Sequence, residues 1–347
     1  AMADDEVEKV TELPAGEGVP RPPVRRRRLA LGFLTSAARA PAPDKGPSST
    51  SAAIWNESAW SWLAEDFVQT TSEPLEACFN LLCHDDSAGA AAAEGSFTAK
   101  LRGVATVPTH RAELSLVFAE LSLIRAALED PDTQAMLLLS GSCLPLLRLS
   151  ELYTACLEGE CYGKSILKYH FMKGGQQRVL GVPLGALQWK LWHRRELQQL
   201  AALEEANLRR RWEPLEATMQ RYGLAPDEVV LVNELREELL KSDPTCKDPF
   251  ALCCIRRATT YTEWEAKVDK HSGPPRARIF PEIPEKAWPT NADCGEVARD
   301  IQSRDSPTPL LCRKIYLGLE ALQSWKKRLT GGAAEAQSAT AICLAED

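Results

Sequence analysis

The chain has 347 residues, of which 44% are hydrophobic and 26% charged, proportions that are ordinary for a soluble globular protein. A chain of this length can form one large domain or two smaller ones with a sizeable core. The net charge of −7 excludes a protein whose whole surface binds nucleic acid, so any anion site must be local. No apolar run is long enough to predict a membrane-spanning helix.

The ends of the chain differ in composition from its middle. Residues 1–27 are rich in Pro, Glu and Arg, and we expect them to be disordered because they bury too little apolar surface. Residues 329–347 are small and Ala-rich and predict a flexible tail. The segment between them, 28–328, is expected to be the folded domain, with surface insertions at 40–53 and 87–94.

Strand and helix patterns alternate within this domain. Short apolar runs predict strands over 29–35, 77–83, 101–107 and 136–140, with extended chain again at 257–264 and 309–317. Apolar residues at helical spacing predict helices over 55–67, 110–129, 188–221 and 226–240. The 110–129 helix would have Thr109 as its N-cap and Glu113 in its first turn.

This alternation predicts an α/β fold with a mainly parallel sheet covered by helices on both faces. Ligands of such sheets bind beyond the carboxyl ends of the strands. The rule selects three groups of residues, Thr35–Ser36, His84–Asp85–Asp86 and Ser140–Gly141–Ser142.

Eleven cysteines are many for a cytosolic enzyme and few for a disulfide scaffold of this length. The close pairs Cys253–Cys254 and Cys156/Cys161 are candidates for disulfides, although buried free thiols are the favoured interpretation. Because no CxxC pair is matched by a second one, we expect no structural zinc site.

Several motifs occur in one order along the chain. Residues 137–146 read LLLSGSCLPL and resemble the signature FLSxSCxPL of the core-2/I-branching β-1,6-N-acetylglucosaminyltransferases, a family that includes plant and algal relatives and the peptide O-xylosyltransferases. The other segments that resemble motifs of this family are 29–35, 79–85, 116–128, 188–189 with 194–197, 226–228, 260–264 and 311–315. The resemblance covers roughly residues 28 to 318.

The resemblance implies a GT-A-like fold and an inverting enzyme that needs no divalent metal. Such an enzyme moves a sugar, N-acetylglucosamine or xylose, from a UDP-sugar donor to a hydroxyl of a glycan or glycoprotein acceptor. It also implies a Golgi location behind an N-terminal membrane anchor. The given sequence contains no such anchor, so the location is an expectation from the resemblance alone.

By the same resemblance, Glu228 of the Pro226–Asp227–Glu228 motif is the general base that takes the proton of the acceptor hydroxyl. The alternative is a carboxylate in the first turn of a helix, with Asp227 as the capping partner. Lys314, with Arg313 beside it, would neutralise the departing diphosphate; an exposed basic pair at a strand end is the alternative.

The remaining expected site residues belong to the donor and the acceptor. Thr35, Ser36, His84 and Asp85 would contact the nucleotide. A metal site at His84–Asp85–Asp86 is the less favoured alternative. On the acceptor side we expect three residues, Ser142, Gln188 and Trp189, although Trp189 could equally be a core tryptophan.

The chain also departs from the family pattern. Thr109 and His110 replace an expected Trp-Gly pair, and Leu184 and Leu187 replace an expected lysine and serine. These changes leave room for a second interpretation, an inactive family member that binds a nucleotide sugar or a glycan. A dinucleotide enzyme is disfavoured because no G-x-G-x-x-G follows the first strand.

Overall fold

Strands and helices alternate along most of the described chain, as the hydrophobic pattern predicts. The computed structural model describes residues 27–35, 54, 56–85, 95–104, 107–110, 112–158, 162–256, 260–261, 311–313 and 320–330. The strands are β1 (Arg28–Thr35), β2 (Phe79–Asp85), β3 (Arg102–Gly103), β4 (Thr133–Ser140), β5 (Cys143–Pro145), β6 (Ser165–Ile166), β7 (Tyr169–Phe171), β8 (Leu184–Ala186), β9 (Leu191–His193), β10 (Cys254–Ile255), β11 (Thr260–Tyr261) and β12 (Leu311–Arg313). The helices are α1 (Glu57–Thr71), α2 (Leu75–Cys78), α3 (Ser115–Leu128), α4 (Leu149–Leu157), α5 (Gly174–Leu180), α6 (Arg194–Ala201), α7 (Glu205–Arg221), α8 (Val230–Ser242), α9 (Phe250–Cys253) and α10 (320–330), with 3-10 turns at Thr98–Lys100 and Pro226–Glu228.

The central sheet has seven described strands in the order β10-β6-β9-β4-β1-β2-β3. All its neighbouring pairs are parallel except the two that involve β9. A three-stranded sheet, β11-β12-β5, and the hairpin β7-β8 lie outside it. The expected α/β class with a mainly parallel sheet is therefore confirmed.

The direction of winding changes beside β1. The chain passes from β1 to β2 and β3 on one side, and then places β4 on the other side of β1. In open α/β sheets such a switch point leaves a crevice at the carboxyl ends of the two strands, where ligands bind. The fold therefore makes the β1/β4 end the first place to look for a site.

Both faces of the sheet are covered by helices. Leu31 and Phe33 of β1 face a core built with α1, α4 and α10, and Phe33 packs edge-to-face on Trp60 with ring centroids 5.2 Å apart. Ala30 and Met136 face the opposite core, which α3, α6, α7 and α8 complete. Gly32 allows close packing there, because a Cβ would lie 3.2 Å from the Met136 sulfur.

Helix α3 begins later than its sequence pattern predicts. Its first residue is Ser115 and its N-cap position is Leu114, so the prediction that Thr109 caps a helix starting at His110 is wrong. The Leu114 N–H instead donates to the Glu216 carboxylate of α7, at 2.7 Å. A tertiary contact has taken over the role of a local cap.

The single helix expected over 188–221 is also wrong. Residues Leu191–His193 form strand β9, in which Trp192 lies opposite Met136 of β4, and two separate helices, α6 and α7, follow. The apolar spacing could not reveal this, because three residues become a strand only where a neighbouring strand offers backbone partners.

Smaller differences occur elsewhere. The second strand starts at Phe79, because the residues before it form α2. Among the described residues of the third predicted strand, Arg102–Gly103 form β3 beside β2, and the Val104 N–H also donates to the Cys83 carbonyl at 2.9 Å. Helix α10 buries Trp325 and Leu329 and runs to residue 330, two residues past the expected domain boundary. No helix in the described part of the chain is long and apolar enough to cross a membrane.

Candidate functional site

The carboxyl ends of β1, β2 and β4 bring predicted site residues together. In the sheet register Leu34 lies beside His84 on one side and Ser140 on the other, and Thr35 lies beside Asp85. Four of the residues selected from the sequence, at the ends of three strands, thus share one edge of the sheet, at the switch point between β1 and β4.

Thr35 is buried at this edge. Its hydroxyl donates to the His84 carbonyl at 3.1 Å and lies 3.5 Å from the Cys83 sulfur. Because its proton is used within the protein, the hydroxyl can offer a ligand only an acceptor lone pair. Its neighbour Ser36 lies outside the described residues.

His84 is fully buried, and its Nε2 accepts the Val107 N–H at 3.0 Å. In a neutral ring this contact places the proton on Nδ1. The Nε2 atom therefore holds the segment that follows β3, and its lone pair is already used in this hydrogen bond and is not open to a ligand. Asp85 is the last residue of β2, and its side chain lies outside the described part of the structure. Within the described residues no group of three His, Cys, Asp or Glu could hold a metal ion.

The Ser140–Ser142 turn follows β4. The two hydroxyls lie 3.0 Å apart, and the Ser140 N–H points at the Cys143 sulfur at 3.3 Å. Strand β5 then pairs with β12, so that the backbone of Arg313 lies opposite Cys143. The chain entering Lys314 is thereby brought beside the turn, although Lys314 itself lies outside the described residues, as does Asp86.

Glu228 ends the 3-10 turn Pro226–Glu228 and is half-buried, whereas Asp227 is fully buried. Helix α8 begins only at Val230, and no side chain forms a cap hydrogen bond at its N-cap Val229 or at Ala225 before the turn. Pro226 begins this turn and both carboxylates lie in it, as the alternative interpretation expects, and the N-cap positions are Ala225 and Val229 rather than Asp227.

A buried charge network holds this turn. The Lys190 ammonium lies 3.3 Å from the Glu120 carboxylate and donates to the Asp227 carbonyl at 2.9 Å. The other Glu120 oxygen accepts the Trp192 indole N–H at 3.0 Å. All four side chains are fully buried. Because removing two charges from water is costly, such a pair needs hydrogen bonds of this quality to persist.

The same lysine connects the turn to the sheet. The Lys190 carbonyl accepts the Leu138 N–H at 2.9 Å, and Leu138 lies two residues before the end of β4. The turn that carries Glu228 is thus fixed, through one residue, to the strand that leads into Ser140–Ser142.

The surroundings of Glu120 shift its pKa in opposing directions. Burial raises the pKa of Glu120, the charge of Lys190 opposes that rise, and the nearby Asp227 carboxylate reinforces it. The net shift of the pKa of Glu120 is upward.

Sequence reasoning missed Glu120 and Lys190. Glu120 interrupts an otherwise apolar helix face, and Lys190 stands in the run Trp189–Lys190–Leu191–Trp192. The available signal was that each of these two charged residues stands at a position where its pattern expects an apolar residue, and that the two charges have opposite signs.

Gln188 and Trp189, expected on the acceptor side, directly precede Lys190. Gln188 is half-buried, whereas Trp189 is buried in the core shared with α3 and α8. This burial agrees with the alternative in which Trp189 is a core residue. Asn233 of α8 holds β8, just upstream, through hydrogen bonds in both directions with the Leu184 backbone.

Comparison with known proteins gives no assignment. The sequence matches none of the protein-family models, and it matches none of the curated proteins.

Proposed function

We propose that this chain is a glycosyltransferase with a GT-A-like fold that resembles the core-2/I-branching family. It transfers N-acetylglucosamine or xylose from a UDP-sugar to a hydroxyl of a glycan or glycoprotein, with inversion and without a divalent metal.

The observation that carries this proposal is the attachment of the Glu228 turn to the carboxyl end of β4. Lys190 hydrogen-bonds both the Asp227 carbonyl and the Leu138 N–H, so the turn is fixed relative to the strand that ends at Ser140. Two motifs that are far apart in sequence are thereby linked through β4, one of the two strands at the switch point, where α/β folds bind nucleotides.

Glu228 has the exposure that a general base requires. It is half-buried, so it can reach a bound acceptor while its surroundings exclude part of the water. A sugar hydroxyl is a poor nucleophile, and a carboxylate within hydrogen-bond reach takes its proton as the bond to the anomeric carbon forms. The buried Asp227 and Lys190 orient the turn and do not face the substrate.

On the donor side, the end of β1 with Thr35 and the end of β2 with Asp85 would receive the nucleoside. The diphosphate gains negative charge as it leaves and needs a cation. Lys314 fits this role because the preceding residue, Arg313, pairs with Cys143 immediately after the Ser140–Ser142 turn.

The proposal is tested by UDP release from UDP-N-acetylglucosamine, UDP-xylose and UDP-glucose with a panel of glycan and glycopeptide acceptors. We expect acceptor-dependent release by the wild-type protein. Glu228→Gln should lower kcat by about 100-fold or more, with little change in UDP affinity. Glu238→Gln, the same change at a carboxylate further along α8 that pairs with Lys241, should leave both unchanged.

Two results would count against the proposal in different ways. UDP binding without turnover on any acceptor would favour the alternative, an inactive family member that binds nucleotide sugars. Full turnover by the Glu228→Gln protein would remove this residue from the role of base.

A further inference from the structure

The sulfurs of two adjacent cysteines, Cys253 and Cys254, lie 3.5 Å apart. Cys253 is the last residue of α9 and Cys254 is the first residue of β10, so the peptide that joins them is the junction between a helix and a strand. Both are free thiols in this structure. A disulfide needs sulfurs about 2.05 Å apart, so closure requires a movement of roughly 1.5 Å.

We propose that Cys253 and Cys254 form a vicinal dithiol site that a low-molecular-weight disulfide oxidises reversibly to a ring-closed disulfide. The proposal concerns a part of the molecule separate from the Glu228 turn and does not depend on the proposed transferase activity.

The two sulfurs have different roles in the exchange. The thiolate of Cys253 attacks one sulfur of the small disulfide, forms a mixed disulfide and expels one small thiolate, which takes up the proton. The Cys254 thiol then loses its proton and attacks the Cys253 sulfur, which breaks the mixed disulfide and releases the second small thiol. Two protein thiols are oxidised, and one small disulfide is reduced to two thiols.

The surroundings support this order of attack. The hydrogen bond with the Cys254 thiol lowers the pKa of Cys253, whereas burial raises the pKa of Cys254. Before the thiolate forms, the Cys253 thiol must give up the hydrogen bond that it donates to the Pro249 carbonyl, at 3.7 Å inside its own helical turn. The difference in pKa makes Cys253 the readier nucleophile and Cys254 the resolving thiol.

Access requires a local opening, because the residues are only 4% and 5% exposed. Strand β10 allows this opening. It has two residues, lies at the edge of the sheet and pairs only with β6 among the described strands. Short edge strands open at a lower free energy than the core of a protein.

Closure should also strain this edge. Adjacent cysteines bring their Cα atoms closer than in an ordinary disulfide, and strained disulfides are easily reduced. The strain would act on the junction that positions Ile255, whose carbonyl accepts the Leu167 N–H at 3.1 Å. Oxidation is therefore expected to be reversible and to loosen the contact between β10 and the segment after β6.

The test uses the folded, reduced chain treated with oxidised glutathione and then with an alkylating agent. Trypsin releases residues 248–256 as one peptide that contains both cysteines. We expect this peptide to be unalkylated and lighter by two hydrogens, and to become doubly alkylated after reduction. Amide hydrogen exchange at Leu167 should be faster in the oxidised protein.

Variants separate this site from its neighbours. Cys246→Ser removes the half-buried thiol nearby and should not change the result. Cys254→Ser should stop the reaction at a glutathione adduct on Cys253. The proposal is overturned if the wild-type peptide stays doubly alkylated, carries glutathione on both cysteines, or is cross-linked to another part of the chain.

Discussion

Lys190 keeps its ammonium group beside the Glu120 carboxylate in a position with no access to solvent. Its second hydrogen-bond partner, the Asp227 carbonyl, belongs to the turn that carries Glu228. At the scale of single residues, the Lys190 charge is costly to bury and is stabilised only when all its hydrogen-bond partners are present.

Lys190→Met tests this pairing. The substitution leaves Glu120 buried without its cation, so we expect the free energy of unfolding at pH 7 to fall by about 3–5 kcal/mol in urea denaturation. Replacing both partners, Lys190→Met with Glu120→Leu, should recover part of this loss, because the Trp192 indole N–H and the Asp227 carbonyl still lose their partners. Lys241→Met, at an exposed pair with Glu238, should cost less than about 1 kcal/mol. A double variant as unstable as the single one would contradict the account.

His193 gives the molecule a predictable response to pH. Burial lowers the pKa of His193 from 6.5 to about 4. The unfolded chain therefore binds a proton between these values that the folded chain does not, so this residue lowers stability as pH falls from 6.5 towards 4.

We expect the loss of unfolding free energy between pH 7 and pH 5 to be about 2 kcal/mol smaller in His193→Gln than in the wild type. Urea denaturation at the two pH values measures it, and His110→Gln, at an exposed position, is the control. Equal pH dependence in the His193 variant and the wild type would show that the residue does not titrate in this way.

At the scale of elements, α8 holds two parts of the candidate site with one side chain. The Asn233 amide donates to the Leu184 carbonyl at 2.8 Å and to the Val229 carbonyl at 2.7 Å, and its oxygen accepts the Leu184 N–H at 3.2 Å. Strand β8, which precedes Gln188, and the residue after Glu228 are thus fixed to the same helix.

Asn233→Ala should lower the free energy of unfolding by about 2–4 kcal/mol, because it leaves the buried Leu184 N–H and carbonyl without these partners. Asn207→Ala, which removes one exposed hydrogen bond to Glu204, should cost less than about 1 kcal/mol. Thermal or urea unfolding provides the measurement. A cost for Asn233→Ala no larger than that of the control would mean that β8 is held by other contacts.

The elements also show which parts of the fold can be predicted from sequence. Strands β1 and β4 were predictable because long buried runs such as 29–35 and 136–140 have few other structures open to them. Strand β9 was not, because its three residues are extended only through pairing with Met136 and its neighbours. Local patterns identify elements that bury their own surface, and they miss those created by a partner.

The residues of the candidate site also divide into those that local sequence patterns predict and those that only the folded core brings together. The strand ends at Thr35, His84 and Ser140 could be placed on one edge from the alternation of strands and helices alone. The Lys190–Glu120 pair could not, because its partners are 70 residues apart and meet only in the folded core.

At the scale of the whole molecule, we propose that the carboxyl edge between β1 and β4 binds a UDP-sugar and that the Glu228 turn, held by Lys190, faces this donor. The motifs and the sheet topology support the claim independently, since the order of the strands does not follow from the motif letters.

A crystal structure of the protein soaked with a UDP-sugar tests this claim most directly. We expect the nucleoside beside Thr35 and Asp85, the diphosphate towards Lys314, and the anomeric carbon on the side of Glu228. Donor density at the opposite edge of the sheet, or full occupancy of a site remote from Glu228, would contradict the account.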